Sequence, residues 1–274
     1  MNIPMNVLFI GGGNMADALI GGLLKSGFAA NQLRAVEVDS AARRRLSDKY
    51  RIECVAQARG AVRSGDVVVF AVKPQQMKEA ARFMGLKDNA NLVISIAAGI
   101  TLASLSRWLG GHLKLVRAMP NTPALIGAGV TGLYALPGVS EAEKKQAETI
   151  LGAVGATVWI ADEMLMDAVT AISGSGPAYV FWFIEQLAAA GESLGLTQET
   201  SKKLALETVL GSAKLAAQSA DSAAVLRERV TSKGGTTEAA LKAFEEQKLA
   251  ERFLRAVEAA RDRGSALGAL LDKE

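Results

Sequence analysis

One cysteine, one histidine and few aromatic rings stand in this chain of 274 residues, and each scarcity closes off a class of chemistry. With Cys54 alone there is no intrachain disulfide and no cysteine-built metal cluster. With His112 alone a histidine-rich zinc site is excluded, so no metal is expected. A Ser-His-Asp triad would have only His112 to use, and that residue follows Gly110 and Gly111 as an ordinary turn histidine. Aromatics make up 5% of the chain and hydrophobic residues 50%. The core must therefore be Ala, Val, Leu and Ile, which suits an α/β or all-α enzyme better than a β-sandwich.

Long runs of one kind are missing as well. The net charge is +3, and the longest basic run is Arg43-Arg44-Arg45. Neither a basic face nor an aromatic stacking platform marks a nucleic-acid partner. The most apolar stretch, residues 178–194, is interrupted by Glu185, Gln186 and Glu192, which argues against a membrane span. Residues 1–4 are too short for the apolar region of a signal peptide, and the cytoplasm is the expected location.

What is present is an alternation. Residues 6–10, 33–38, 67–72, 92–96, 114–118, 130–134 and 157–160 read as strands, with helical patterns between them. That order predicts a doubly wound parallel sheet covered on both faces. Met15, Ala18, Leu19, Gly22 and Leu23 share one face of the first helix, which should end at Gly27. A second helix is expected over 40–50. A third is expected over 141–154, opened by Ser140 and Glu143 in a capping box. Beyond residue 162 nothing reads as a strand. Helices are expected after Pro177 and over 197–219, 222–231, 237–246 and 249–271. The chain thus divides into a dinucleotide-binding domain, 1–162, and a helical domain, 163–274. The run Tyr179-Val180-Phe181-Trp182-Phe183-Ile184 is apolar all round, so that second domain should bury it in a homodimer interface.

Gly11, Gly12, Gly13, Asn14, Met15 and Ala16 lie between the first strand and the first helix. Gly11, Gly13 and Ala16 fill the three small positions of the G-x-G-x-x-G/A dinucleotide fingerprint. The first allows a tight turn, the second lets a pyrophosphate reach the backbone, and the third lets helix and strand pack closely. The phosphates would then meet unpaired N–H groups at a helix N-terminus. The second strand ends near Glu37 and Asp39, either of which would accept hydrogen bonds from the adenosine ribose. Arg43 and Arg44 close by would instead pair with a 2′-phosphate, so NADH and NADPH both remain open.

Further segments stand at expected strand ends or helix starts. They are Ala71-Val72-Lys73-Pro74, Ser95-Ile96-Ala97-Ala98-Gly99, Arg117-Ala118-Met119-Pro120-Asn121-Thr122-Pro123, Ser173-Gly174-Ser175-Gly176-Pro177-Ala178-Tyr179, and Ser232-Lys233-Gly234-Gly235-Thr236-Thr237. The last puts glycines and hydroxyls before a helix, a place where a carboxylate gains about 0.3–1 kcal/mol from the helix dipole. Simple capping by Thr236 is the alternative.

With the Gly-Asn-Met-Ala loop, this set resembles the pyrroline-5-carboxylate reductase family over nearly the whole chain. The resemblance implies an N-terminal Rossmann domain, a C-terminal helical dimerisation domain, and dimers that often assemble into decamers. It implies reduction of a cyclic imine carboxylate to L-proline, usually with NADPH. It places Ala71 to Pro74, Ala97 to Gly99, and Met119, Pro120 and Asn121 around the cofactor. It places Ser232, Gly234, Gly235 and Thr236 around the substrate, and Thr237 on the ring nitrogen. Glu37 departs from the small or polar residue that relatives often carry.

No histidine falls in any of these segments and no Tyr-x-x-x-Lys pair appears, as expected if the substrate is a protonated imine that needs no general acid. Two other readings fit a Rossmann-plus-helical chain. A β-hydroxyacid dehydrogenase or related imine reductase is one, although the expected lysine is missing after Pro177. A non-catalytic dinucleotide-sensing regulator is the other.

Overall fold

The computed structural model describes residues 5–84, 86 and 91–273. The stretch 1–4, judged above for a signal peptide, lies outside the described residues. Two compact units emerge, one of Met1–Ser175 with Ala260–Glu274 and one of Gly176–Ala259. The expected domain limit was at 162/163.

The first unit is built on a sheet of β1 (Val7–Ile10), β2 (Leu33–Val36), β3 (Glu53–Val55), β4 (Val67–Phe70), β5 (Val93–Ser95), β6 (Leu115–Met119), β7 (Gly129–Ala135) and β8 (Gly155–Trp159). Their order across the sheet is β3-β2-β1-β4-β5-β6-β7-β8. Strands β1 to β6 run parallel, and the order reverses direction at β1. That reversal opens the crevice where doubly wound sheets bind ligands. β7 lies antiparallel on β6, and β8 is parallel to β7. This corrects the expectation of a wholly parallel sheet. The link from Met119 to Gly129 is too short for a crossover, which takes a dozen or more residues.

Alternate side chains along each strand serve opposite faces. Val7, Phe9, Leu33, Ala35, Val67 and Val69 join one core, while Leu8, Ile10, Val36, Val68 and Phe70 join the other. Leu19, Ile20 and Leu23 of α1 (Asn14–Lys25), Leu46 of α2 (Ser40–Tyr50), Met77 and Ala81 of α3 (Met77–Phe83), and Leu102 and Leu105 of α4 (Leu102–Trp108) cover them. The first face is completed by α5 (Glu141–Gly152), through Ala147, Ile150 and Leu151. Fully burying one such large side chain contributes roughly 1.5–3 kcal/mol. Strand β3 and helices α3 and α4 had not been expected. The three residues of β3 are too few to show a hydrophobic period.

Local signals act where expected. Gly27 follows α1 at φ +99° in the left-handed conformation that favours glycine there. Ser140 Oγ accepts from Glu143 N–H while Glu143 reaches back to Ser140 N–H, closing the capping box.

His112 follows the Gly110-Gly111 turn as expected, and its side chain turns inward. It is buried, and its Nε2–H donates to Asn91 O at 2.8 Å. Asn91 in turn donates to the carbonyls of Arg63 and Asp66, and the Asp66 carboxylate pairs with buried Arg34. Burial is the main cause that pushes the His112 pKa below its usual value, against the opposing pull of the Asn91 carbonyl.

After β8, α6 (Met166–Val169) runs into a π-helical turn, Thr170–Gly174. The second unit begins with α7 (Gly176–Ser193) and continues through α8 (Gln198–Gln218), α9 (Ala223–Arg229) and α10 (Thr236–Glu246). Helix α11 (Leu249–Lys273) starts in the second unit and ends in the first. Within the second unit α7 and α8 pack closely at Gly191, where a Cβ would stand 2.7 Å from Ser201 Oγ. The apolar run of α7 is not buried in the single chain. Phe181 is 64% exposed and Trp182 56%. Among the described residues no helix is long and apolar enough to cross a membrane.

Candidate functional site

Strands β1, β4, β5 and β6 end side by side, with Ile10 paired to Phe70, Phe70 to Ser95, and Ser95 to Arg117. The loops that follow therefore emerge along one edge of the sheet. This brings together Gly11 to Met15, Ala71 to Pro74, Ala97 to Gly99, and Met119 to Asn121, with Glu37 beside the first loop.

The glycine loop is shaped by close contacts. Gly11 has φ +100°, its N–H donates to Val36 O at 2.8 Å, and a Cβ there would meet Ala71 O at 2.7 Å. A Cβ on Gly12 would meet Leu46 Cδ1 at 2.7 Å. Gly13 is different: it is exposed and has nothing within 4 Å of a Cβ. It stands at the start of α1, where no side chain caps the helix. Side chains do cap α2, α4, α5, α8 and α9, through Asp39, Thr101, Ser140, Thr197 and Ser222. The start of α1 thus keeps open N–H groups and an open approach, which fits the phosphates of a dinucleotide. Ala16 is fully buried against the sheet, as its place in the fingerprint requires.

Glu37 closes the loop from the other side. Its Oε2 accepts from Gly12 N–H at 2.6 Å and its Oε1 from Asp39 N–H at 2.8 Å. Arg43 Nη1 donates to the carbonyls of Glu37 and Val38, and Arg45 Nη2 donates to Gly12 O at 2.9 Å. Arg45 had not been singled out, and only the fold brings it to the loop. Lys73 is exposed, while Pro74 opens a 3₁₀ turn that leads into α3. Ala97 is buried, and Gly99, at φ +78°, is backed by α11: a Cβ on Gly268 would lie 2.6 Å from Gly99 O.

Asn121 is buried and holds two segments together. Its Nδ2 donates to Ser173 O at 3.1 Å and its Oδ1 accepts from Val130 N–H at 2.9 Å. Gly174 also rests on Met119, whose Cε would stand 2.6 Å from a Cβ. The Met-Pro-Asn and Ser-Gly-Ser segments therefore meet, at a π turn of the kind that often marks functional sites. Buried Arg117 points to Glu163 Oε1 and Asp167 Oδ1, at 3.2 and 3.4 Å.

In the second unit, Ser232, Gly234, Gly235, Thr236 and Thr237 form the start of α10. Gly235 is the cap residue and no side chain caps it, so Thr236 does not play the capping role considered above. Gly234 has φ +74°, and its N–H donates to Glu238 Oε2 at 2.6 Å. Thr237, in the first turn, is half-buried. No lysine stands on α7, Gly176–Ser193.

Comparisons with known proteins bear on the family and the fold. Residues 163–267 match the family model for pyrroline-5-carboxylate reductase dimerisation, and residues 6–99 match that for coenzyme F420-dependent NADP oxidoreductase. A pyrroline-5-carboxylate reductase of Pseudomonas aeruginosa is 46% identical over 97% of this chain and 98% of its own. The solved structure of that enzyme from Coxiella burnetii superposes with a TM-score of 0.91 at 40% identity, covering 97% of this chain and 99% of its own. A Plasmodium falciparum pyrroline carboxylate reductase with NADP bound gives 0.85 at 30% identity, over 98% and 100%. On identity, coverage and fold together, this chain belongs to the pyrroline-5-carboxylate reductase family.

Proposed function

We propose that this chain reduces Δ1-pyrroline-5-carboxylate to L-proline with NADH or NADPH. The observation that carries the proposal is the start of α1, which has an open approach at Gly13 and no side-chain cap. When bound there, a reduced nicotinamide dinucleotide supplies the hydride.

Gly11, Gly12, Gly13, Asn14 and Met15 would hold the pyrophosphate, with Glu37 at the ribose. Ala71, Val72, Lys73, Pro74, Ala97, Ala98, Gly99, Met119, Pro120 and Asn121 would form the wall along the strand ends. The second glycine-opened helix start would take the substrate's carboxylate, through Ser232, Gly234, Gly235 and Thr236, and the Thr237 hydroxyl would bond the ring nitrogen. A protonated imine is already an electrophile, so addition of hydride at its carbon gives a neutral secondary amine. The residues then need mainly to fix proximity and orientation, which supplies roughly 7–11 kcal/mol of barrier reduction.

The exposed aromatic face of α7 supports a homodimer, and a pentamer of such dimers is the larger assembly we propose. The test is direct. The purified chain, given pyrroline-5-carboxylate and either reduced dinucleotide, should consume the dinucleotide and form proline in equal amounts. No substrate-dependent oxidation of either would overturn the proposal.

A further inference from the structure

Glu37 stands immediately after β2, at the position where a doubly wound sheet meets the adenosine ribose. Its carboxylate does not swing freely. Gly12 N–H and Asp39 N–H hold one oxygen each, at 2.6 and 2.8 Å. The carboxylate is therefore fixed against the glycine loop. An ionised carboxylate has about four lone-pair sites, so each oxygen can still accept from a ribose hydroxyl.

The nearby cations are arranged otherwise. Arg43 Nη1 lies between the carbonyls of Glu37 and Val38, at 2.7 and 2.8 Å. Arg45 Nη2 lies on the carbonyl of Gly12 at 2.9 Å. Arg43 thus braces the segment after β2 and Arg45 the glycine loop, each through carbonyl oxygens. Asp39, the second carboxylate, caps α2 by accepting from Ala42 N–H. Arg44 is exposed on α2.

We infer that Glu37 makes this chain select NADH over NADPH, by accepting from the ribose hydroxyls and repelling a 2′-phosphate. The inference rests on reading the strand-end edge as a dinucleotide site. The repulsive element does as much as the attractive one, because discrimination is a difference of two affinities.

Binding can be measured without turnover, by calorimetric titration of the full chain with NADH, NADPH, 5′-AMP and 2′,5′-adenosine bisphosphate. Like charges set against each other cost several kcal/mol, so the Kd for NADH should be below that for NADPH by about tenfold or more. The same order should hold for the two adenosine fragments. Added salt should narrow the gap, because it screens the repulsion. Glu37→Ser should tighten NADPH binding and weaken NADH binding. Glu37→Gln keeps an acceptor for Gly12 N–H and should also narrow the gap, which guards against a merely disturbed loop. Equal or tighter binding of NADPH by the unaltered chain would overturn the inference while leaving the dinucleotide site intact. So would Arg44→Ala weakening NADPH alone by tenfold, since the phosphate would then have a partner. Failure to bind either dinucleotide would overturn the site itself.

Discussion

A Cβ on Gly11 would stand 2.7 Å from the carbonyl oxygen of Ala71, so the loops after β1 and β4 meet backbone to backbone. Two residues further on, the same loop has open space around Gly13. The two glycines are thus required for different reasons, and substitution should separate them. Gly11→Ala should lose about 1–3 kcal/mol of stability from strain at φ +100°, with dinucleotide binding lost as well. Gly13→Ala should change stability by only about 1 kcal/mol or less yet still abolish binding, because a methyl group would fill the phosphate approach. Urea denaturation and calorimetry on both variants check the pair. Equal destabilisation would contradict the distinction.

Thr237 lies in the first turn of α10, whose cap position carries no side-chain bond. Its hydroxyl is proposed to meet a charged ring nitrogen. A hydrogen bond to a charged group contributes about 1.5–3 kcal/mol, so Thr237→Val should lower kcat/KM roughly tenfold to hundredfold. Dinucleotide affinity should not change. Full retention of kcat and KM would remove the residue from the mechanism.

The aromatic face of α7 makes a claim about assembly. Phe181 and Trp182 are more than half exposed in one chain, and an apolar patch of this kind marks a surface for association. Trp182→Glu should convert the dimer to a monomer by light scattering. The parent protein should melt at a temperature that rises with concentration, as linked association requires. A monomeric parent protein would refute the assignment.

His112 gives the chain a pH-dependent stability of definite sign. Burial lowers its pKa in the folded state, so the unfolded chain takes up the proton first as pH falls. Its contribution is favourable above about pH 6.5, the usual histidine value, and is lost progressively as pH falls from there towards the folded pKa. His112→Gln should remove this component. Between pH 7 and 5 the parent protein should lose stability more steeply than the variant, by up to about 1.4 kcal/mol per pH unit. Parallel curves would show that His112 does not titrate in this range.

The difference between what was and was not legible follows from the range of the interactions. The fingerprint at Gly11, Gly13 and Ala16, the capping box at Ser140 and Glu143, and the glycine-opened starts of α1 and α10 all act within a few residues. Each could be read in order along the chain, and the alternation of strands and helices led to the doubly wound sheet. The three-residue β3 is too short to display a period, and α3 and α4 were not read either, although α9, of the same seven residues, falls within the expected span 222–231.

By itself, then, the sequence determined the fold class, the phosphate loop and the helical second half. Tertiary structure alone decided the antiparallel turn to β7, the burial of His112, and the exposure of α7 in a single chain. It also decided that Glu37 bonds Gly12 from 25 positions away and that Asn121 ties Ser173 from 52 away. The physical reason is common to all of these. Such contacts depend on where the topology returns the chain, and no local propensity encodes that.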